Sequence, residues 1–432
     1  MRIPKVVKFD NGAILIYKKI KHYKSTAMIY AFRAGSLNDE VEGTAHYLEH
    51  SLFNGTKTFP TKEDVNNQLL EVCKFNAGTN YRYIKLFGLR TNKLLKESID
   101  LAYDMMMNSN FDDASIDKER GVIQEELSSK EVRFSREVDL SHYSHVYSTS
   151  YDYPKNLGTH DSINQINSEI IKAYHKKHFV AEKCVCVAVS NLPLWKIKKE
   201  FSKRFIEKLP RDPNAVSCKP IHYPDLPESV KVYTNDAQTV DCLISIYYDV
   251  NFDTIKNRTC LSYINTLMTD FTSSTVLELR QNGLVYVFDR IGIYTNSYNS
   301  EAVLGFRTTK EKCKSVIDVM SKNFKKFFYE GMSQEMFEQR TKNLHYIDDE
   351  SYSVERSTTT ADNIFATYVT ENEFKKLKKW DKENKKLKVE DVNDYIKILL
   401  NKKNKMYVSY MGDLTEDDVY SLEETKNKLL FE

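Results

Sequence analysis

The chain has 432 residues, 41% hydrophobic and 29% charged, enough for two or three domains that each bury a core. Its 63 Lys and Arg against 61 Asp and Glu leave a net charge of +2, so neither nucleic acid nor a membrane surface is expected as a partner. Only 13 Gly and 9 Pro exclude a collagen-like or extensively disordered chain. The longest clean apolar run, residues 184–189, falls far short of the roughly 20 residues a membrane span needs. At the N-terminus, Lys8, Asp10 and Asn11-Gly12 interrupt the chain before an apolar signal core could form. Seven irregularly spaced Cys suit reduced thiols, and the expected location is cytoplasmic.

In chain order, residues 6–9 and 13–17 read as a β-hairpin turning at Asn11-Gly12. A strand is expected over 25–34 and a helix over 44–53, where Ala45, Leu48 and Leu52 recur at helical spacing. Thr61-Lys62-Glu63-Asp64 has the form of a helix cap with an acidic third position, opening a helix towards Val72. Two strands follow within 75–89, a helix-rich stretch runs over 92–132, and a strand at 184–190 precedes a helix near 194–205. Residues 209–229 carry five Pro and no periodicity, which marks a linker between halves at 1–208 and 230–432. Beyond it the order of elements recurs: a strand at 241–248, a helix at 258–268, strands at 285–294 and 302–308, and a helix at 313–329. The stretch 332–338 echoes 111–117 in opening another helix, so two copies of one α+β unit are expected.

The strongest local signal is His46-Tyr47-Leu48-Glu49-His50. On a helix, positions 46 and 50 are i and i+4, so both imidazoles project towards one point and can hold a zinc ion. Glu49 can sit beside the open position of such a metal and take a proton from a water that the metal acidifies. This is the inverted form of the His-Glu-x-x-His motif. Taken alone, the pentapeptide also fits a surface helix that happens to carry two His and a Glu, the less favoured reading. A catalytic zinc needs a third protein ligand, and residues 115–127 offer several acids. Glu119 and Glu126 are seven apart and so lie within about 20° of each other on a helix, whereas Glu125 points away. One of the pair can bind a metal while the other orients a ligand, although a solvated acidic face reads the same way.

The segment from Gly43 to Thr56 resembles the active-site helix of the pitrilysin/insulinase family of zinc peptidases, which includes bacterial enzymes similar to mitochondrial processing peptidase. Residues 119–126 resemble that family's third-ligand helix, and Glu126 follows His50 at the family's spacing. The resemblance implies His46, His50 and Glu126 as zinc ligands, Glu49 as the base and Glu119 as the acid supporting a ligand. Phe75-Asn76-Ala77-Gly78-Thr79 is similar to the segment where the family's substrate adds as an extra strand, implying that Asn76 and Ala77 meet the peptide backbone. Residues 273–286 look like the family's Arg-and-Tyr segment, which implies Arg280 and Tyr286 at the developing oxyanion. Read without the family, Arg280 can equally pair with Glu278 or Asp289.

The resemblance also implies an architecture and a partner. The expected fold is α+β: two homologous α/β-sandwich halves, each a mixed sheet covered by helices, facing each other around a chamber. The expected reaction is hydrolysis of internal bonds in short unfolded peptides or leader segments, and a non-catalytic peptide-binding subunit is the rival. Two-unit chains of this family pair, so a homodimer or a heterodimer with a related subunit is expected. Other features read as structural. Cys184 and Cys186 are expected to place their thiols on opposite faces of a core strand. The pairs His142/His145 and His175/His178 are expected on solvated helix faces, and the Lys-rich tract 375–388 in an exposed helix or loop.

Overall fold

The computed structural model describes residues 4–20, 24–133, 138, 141–142, 146, 156–215, 226–248, 255–285, 287–295, 300–346, 358–362, 364–365 and 386–430. It divides into two compact units.

The first unit is built on six strands: β1 (Lys5–Lys8), β2 (Ile14–Lys19), β3 (Ser25–Phe32), β4 (Phe75–Thr79), β5 (Ile84–Thr91) and β6 (Cys184–Ser190). They lie in the order β1-β2-β6-β3-β5-β4, with β2 and β6 parallel and the other neighbours antiparallel. The run Cys184–Ser190 is buried throughout, as a strand covered on both faces must be, and it takes a central place. In β5 burial alternates, so Ile84 and Leu86 enter the core while Lys85 and Phe87 face the other way. The helices are α1 (Thr44–Ser51), α2 (Lys62–Glu71), α3 (Leu95–Met107), α4 (Asp113–Arg133), α5 (His160–Gln165), α6 (Ser168–His178) and α7 (Leu194–Arg204). Ala45 and Leu48 of α1, Ile99 and Ala102 of α3, and Ile197 and Phe201 of α7 share one core with the sheet.

The second unit holds β7 (Ser229–Thr234), β8 (Val240–Tyr248), β9 (Val287–Thr295), β10 (Ser300–Thr308) and β11 (Lys405–Gly412), in the order β7-β11-β8-β10-β9. Its helices are α8 (Ile255–Gln281), α9 (Cys313–Phe324) with a π turn at Lys325–Tyr329, α10 (Gln334–Tyr346), α11 (Val389–Leu399) and α12 (Leu422–Leu429). The second sheet repeats the first. Strands β7-β11-β8-β10-β9 match β2-β6-β3-β5-β4 in order, with one parallel pair followed by antiparallel ones. This is the α+β, two-half fold that the recurrence of elements suggests.

Each sequence half also lends a segment to the other's unit. The first unit comprises Met1–Ser129, Pro154–Lys219 and Asp349–Phe374, and the second comprises Lys130–Tyr153, Pro220–Asp348 and Lys375–Glu432. In the second unit Val138, His142 and Val146, four residues apart, lie along one face of its sheet. Val138 packs with Leu243, Val303 and Met411, and Val146 with Tyr247 and Tyr407. In the first unit Asp362 pairs with Lys85 at 2.5 Å, and Phe365 meets the Tyr83 ring edge-on at 4.7 Å. Residues 216–225 of the Pro-rich stretch and 375–385 of the Lys-rich tract lie outside the described residues.

Three local expectations need correction. In the first hairpin Gly12 N–H donates to Phe9 C=O, so Asp10 and Asn11 are the central turn residues and Gly12 follows at φ +91°. A type I turn followed by a left-handed Gly suits the strand twist. Cys184 and Cys186 share a face, with their sulfurs 3.8 Å apart, because strand side chains repeat every two residues. The described histidines of the two pairs, His142, His175 and His178, are not solvated. The His142 ring is fully buried between Ser409 and Ser245, at 2.8 Å from each hydroxyl. His178 is 4% exposed, and half-buried His175 contacts Met106 C=O through Nε2 at 2.8 Å. His145 lies outside the described residues.

Candidate metal centre

Helix α1 begins at Gly43, which holds φ +89° and has no side chain to cap the first turn. A Cβ there would meet Gly158 Cα at 2.9 Å, so the position needs Gly on both counts. Asp39 supplies the missing cap, accepting Gly43 N–H at 2.9 Å and Ala45 N–H at 3.0 Å. The buried Tyr47 hydroxyl donates to Ile116 C=O at the start of α4, and burial pushes it up to about 12. Arg120 donates to the carbonyls of Ile163 and Ile166, fixing α4 against α5. Ile116 and Ile123 anchor α4 in the core, which turns Glu119 and Glu126 together towards α1.

His46, His50 and Glu126 meet there, each offering a ligand atom within 4.8 Å of the others. His50 Nε2 is 3.3 Å from Glu126 Oε2, and His46 Nε2 is 3.7 Å from the same oxygen. Ligand atoms about 2.0–2.1 Å from a tetrahedral zinc lie about 3.3 Å apart, so this two-imidazole, one-carboxylate set fits that ion. Among the described residues it is the one group of three or more His, Cys, Asp or Glu with such spacing. His50 Nδ1 lies 3.0 Å from Glu119 Oε1, and Lys62 Nζ lies 3.0 Å from Glu119 Oε2. Burial disfavours charge on His50, yet the hydrogen bonds to Glu119 and Glu126 outweigh it and raise the imidazole to about 9. The same carboxylates would attract a metal cation, which would have to displace the Nε2 proton to bind. Glu119, 5% exposed, is pushed up by burial, but its bonds to His50 and Lys62 bring it below the usual carboxylate range.

Glu49 is half-buried beside this group and accepts the Thr79 hydroxyl at 3.2 Å through Oε2. Thr79 ends β4, the edge strand of its sheet. Asn76 is exposed on that edge, and its side-chain oxygen accepts Ala77 N–H at 2.9 Å. The structure therefore brings together His46, His50, Glu126, Glu119 and Glu49, with Asn76 and Ala77 on the strand that meets α1 through Thr79. Arg280 is exposed in the last turn of α8. Glu278, named above as a partner for Arg280, instead bonds Lys322 at 2.7 Å and Asn323 at 3.2 Å. Gly283 ends α8 in a left-handed conformation, with Leu284 N–H reaching Leu279 C=O at 2.9 Å. Tyr286 and the Asp289 side chain lie outside the described residues. Sequence reasoning overlooked Asp39, Lys62 and Thr79. For Thr79 a signal existed: strand alternation puts it on the same face as the apolar Phe75 and Ala77.

Two family models match the chain. "Insulinase (Peptidase family M16)" covers residues 14–154, which include every residue of the candidate centre, and "Peptidase M16 inactive domain" covers residues 165–344. With this fold and this helix pair, the chain belongs to the pitrilysin/insulinase family of peptidases. It is 27% identical over 177 residues to a mitochondrial-processing peptidase subunit beta of Neurospora crassa, a match covering 40% of this chain and 36% of that one. It is 25% identical over 186 residues to an uncharacterized zinc protease of Bacillus subtilis, covering 42% of this chain and 45% of that one. The matched parts thus span less than half the length of these curated relatives. In fold it is similar to a peptidase M16 inactive domain from Pseudomonas fluorescens, with a TM-score of 0.80, 16% identity and coverage of 95% of this chain and 98% of that one.

Proposed function

We propose that the chain is a zinc metalloendopeptidase that hydrolyses internal bonds of short unfolded peptides or leader segments. The observation that carries this reading is the convergence of His46, His50 and Glu126 with Glu49 beside them. These three residues would hold the metal, which when bound supplies Lewis-acid polarisation of the scissile carbonyl and acidifies a water. With the metal bound, Glu119 would hold the remaining proton on His50 Nδ1, leaving Nε2 to face the centre. Glu49 takes the proton of the attacking water and passes it to the leaving amine. As the edge strand of its sheet, β4 offers main-chain hydrogen bonds to an added peptide strand, which would admit many sequences, with Asn76 and Ala77 at the contact. On the motif alone, Arg280 and Tyr286 are assigned to the developing oxyanion. We further propose a cytoplasmic protein that works as a homodimer or with a related subunit.

A second reading is a peptide-binding partner subunit without turnover. The likeness to a structure described as an inactive domain favours it. The deciding experiment is cleavage of a quenched fluorescent peptide mixture by wild type and Glu49→Gln, with zinc quantified in both. Turnover by wild type alone, with about one zinc bound to each protein, establishes the peptidase reading. Zinc without turnover in wild type favours the binding subunit, and absence of zinc after metal-replete purification removes the assigned site.

A further inference from the structure

We infer that Thr79 is a positioning residue for Glu49, tying the proposed base to the strand edge on which a peptide would add. This rests on the reading of Glu49 as the base.

The contact is the Thr79 hydroxyl donating to Glu49 Oε2 at 3.2 Å. Cross-strand partners share a face of a sheet, and β4 pairs Phe75 with Gly88, Ala77 with Leu86 and Thr79 with Ile84. Ile84 and Leu86 are core residues, so Phe75, Ala77 and Thr79 face the helices while Asn76 and Gly78 face away. Thr79 is therefore the β4 residue at which the apolar face gives way to the functional face of α1.

The turn that follows it is pinned. Asn80 N–H bonds Tyr83 C=O at 3.0 Å, and the Asn80 side-chain oxygen accepts the amides of Arg82 at 2.9 Å and Tyr83 at 3.0 Å. The segment following β3 clamps this turn, with Ser36 N–H on Asn80 C=O at 3.1 Å and Leu37 N–H on Tyr81 C=O at 3.0 Å. The approach is so close that a Cβ on Gly35 would lie 2.0 Å from Asn80 O. On this scaffold the branched Thr side chain has few rotamers, so its hydroxyl has a defined direction.

The chemistry suits the role. A flexible Glu side chain acting as a base must be kept within reach of its proton. A Lys or Arg would hold the carboxylate but quench its basicity through charge, whereas a neutral hydroxyl orients it at little cost to basicity. Because the donor sits on the edge strand, whatever orders β4 also orders Glu49.

The test compares Thr79→Val, which keeps the branched shape and loses the hydroxyl, with Thr79→Ser, which keeps the hydroxyl. Two quantities are read: peptide turnover, and the carboxyl carbon resonance of Glu49 in carbon-13-glutamate-labelled protein, assigned by its loss in Glu49→Gln. Thr79→Val is expected to shift the resonance and lower kcat about tenfold, with KM within about twofold and zinc content unchanged. Thr79→Ser should retain the resonance and most of the turnover. A resonance unmoved in Thr79→Val overturns the proposal whatever the activity, as does a shifted resonance with unchanged kcat. If the resonance moves but wild type cuts nothing, the positioning contact stands and the peptidase reading falls.

Discussion

Glu119 Oε1 lies 3.0 Å from His50 Nδ1, a contact between two helices whose residues are 69 apart in the chain. The other oxygen of this buried carboxylate meets Lys62 on α2, so each oxygen has its own partner. With a metal in the centre, the contact would keep the remaining His50 proton on Nδ1 and turn Nε2 to the side shared with Glu126. Replacing Glu119 by Gln should weaken zinc binding about 10- to 100-fold with the fold intact. Chelator competition measures the affinity and circular dichroism the fold. An unchanged affinity would show that His50 is oriented by something else.

Tyr47 couples the two ligand-bearing helices from the opposite side. Its hydroxyl reaches Ile116 C=O from one residue beyond His46. Tyr47→Phe keeps the ring in the core and removes only this bond, so it should cost about 0.5–1.5 kcal/mol. Urea unfolding of the two proteins checks the loss. Zinc affinity should fall a few-fold alongside, because α1 and α4 each carry part of the ligand set.

Asp39 acts on the same helix through its backbone. It accepts the N–H groups of Gly43 and Ala45 where Gly43 can offer no side-chain cap. Asp39→Ala leaves both amides without that acceptor and should destabilise the protein by about 1–3 kcal/mol. Asp39→Asn retains an acceptor oxygen and should lose less. Equal melting temperatures for Asp39→Ala and wild type would remove the capping role.

The centre was legible because its ligands recur at helical spacing, four residues between the His and seven between Glu119 and Glu126, which needs no knowledge of the fold. Lys62 reaches the centre only through tertiary packing, and no local pattern marks it, whereas for Thr79 the only local signal is strand alternation. The strand Lys405–Gly412 carries no such signal although it lies inside its sheet, between β7 and β8. In it Tyr407 and Ser409 share one face and Val408 and Tyr410 the other, so no polar alternation announces it. The exchange of Lys130–Tyr153 and Asp349–Phe374 between units depends on long-range topology. It explains why His142 looks solvated in sequence yet is buried against a sheet whose strands begin about a hundred residues later.

His178 gives a pH signature separate from the metal centre. It is 4% exposed, rests against the Tyr174 ring at 4.5 Å, and accepts Lys183 Nζ at 2.7 Å through Nδ1. Burial first, then the charges of Lys183 and Lys177, lower the imidazole from 6.5 to about 3, against a smaller opposing pull from Glu40. Because the folded value is depressed, the unfolded chain takes up a proton that the folded chain refuses as pH falls below 6.5. This group's contribution is therefore fully present above 6.5 and is lost down to about pH 3, at about 1.4 kcal/mol per pH unit. Gln at position 178 retains an acceptor for Lys183 but does not titrate. Urea unfolding at pH 7, 5.5 and 4.5 should show His178→Gln losing stability less steeply than wild type by that slope. Parallel pH dependences would mean that His178 takes up its proton in the folded protein as readily as in the unfolded chain.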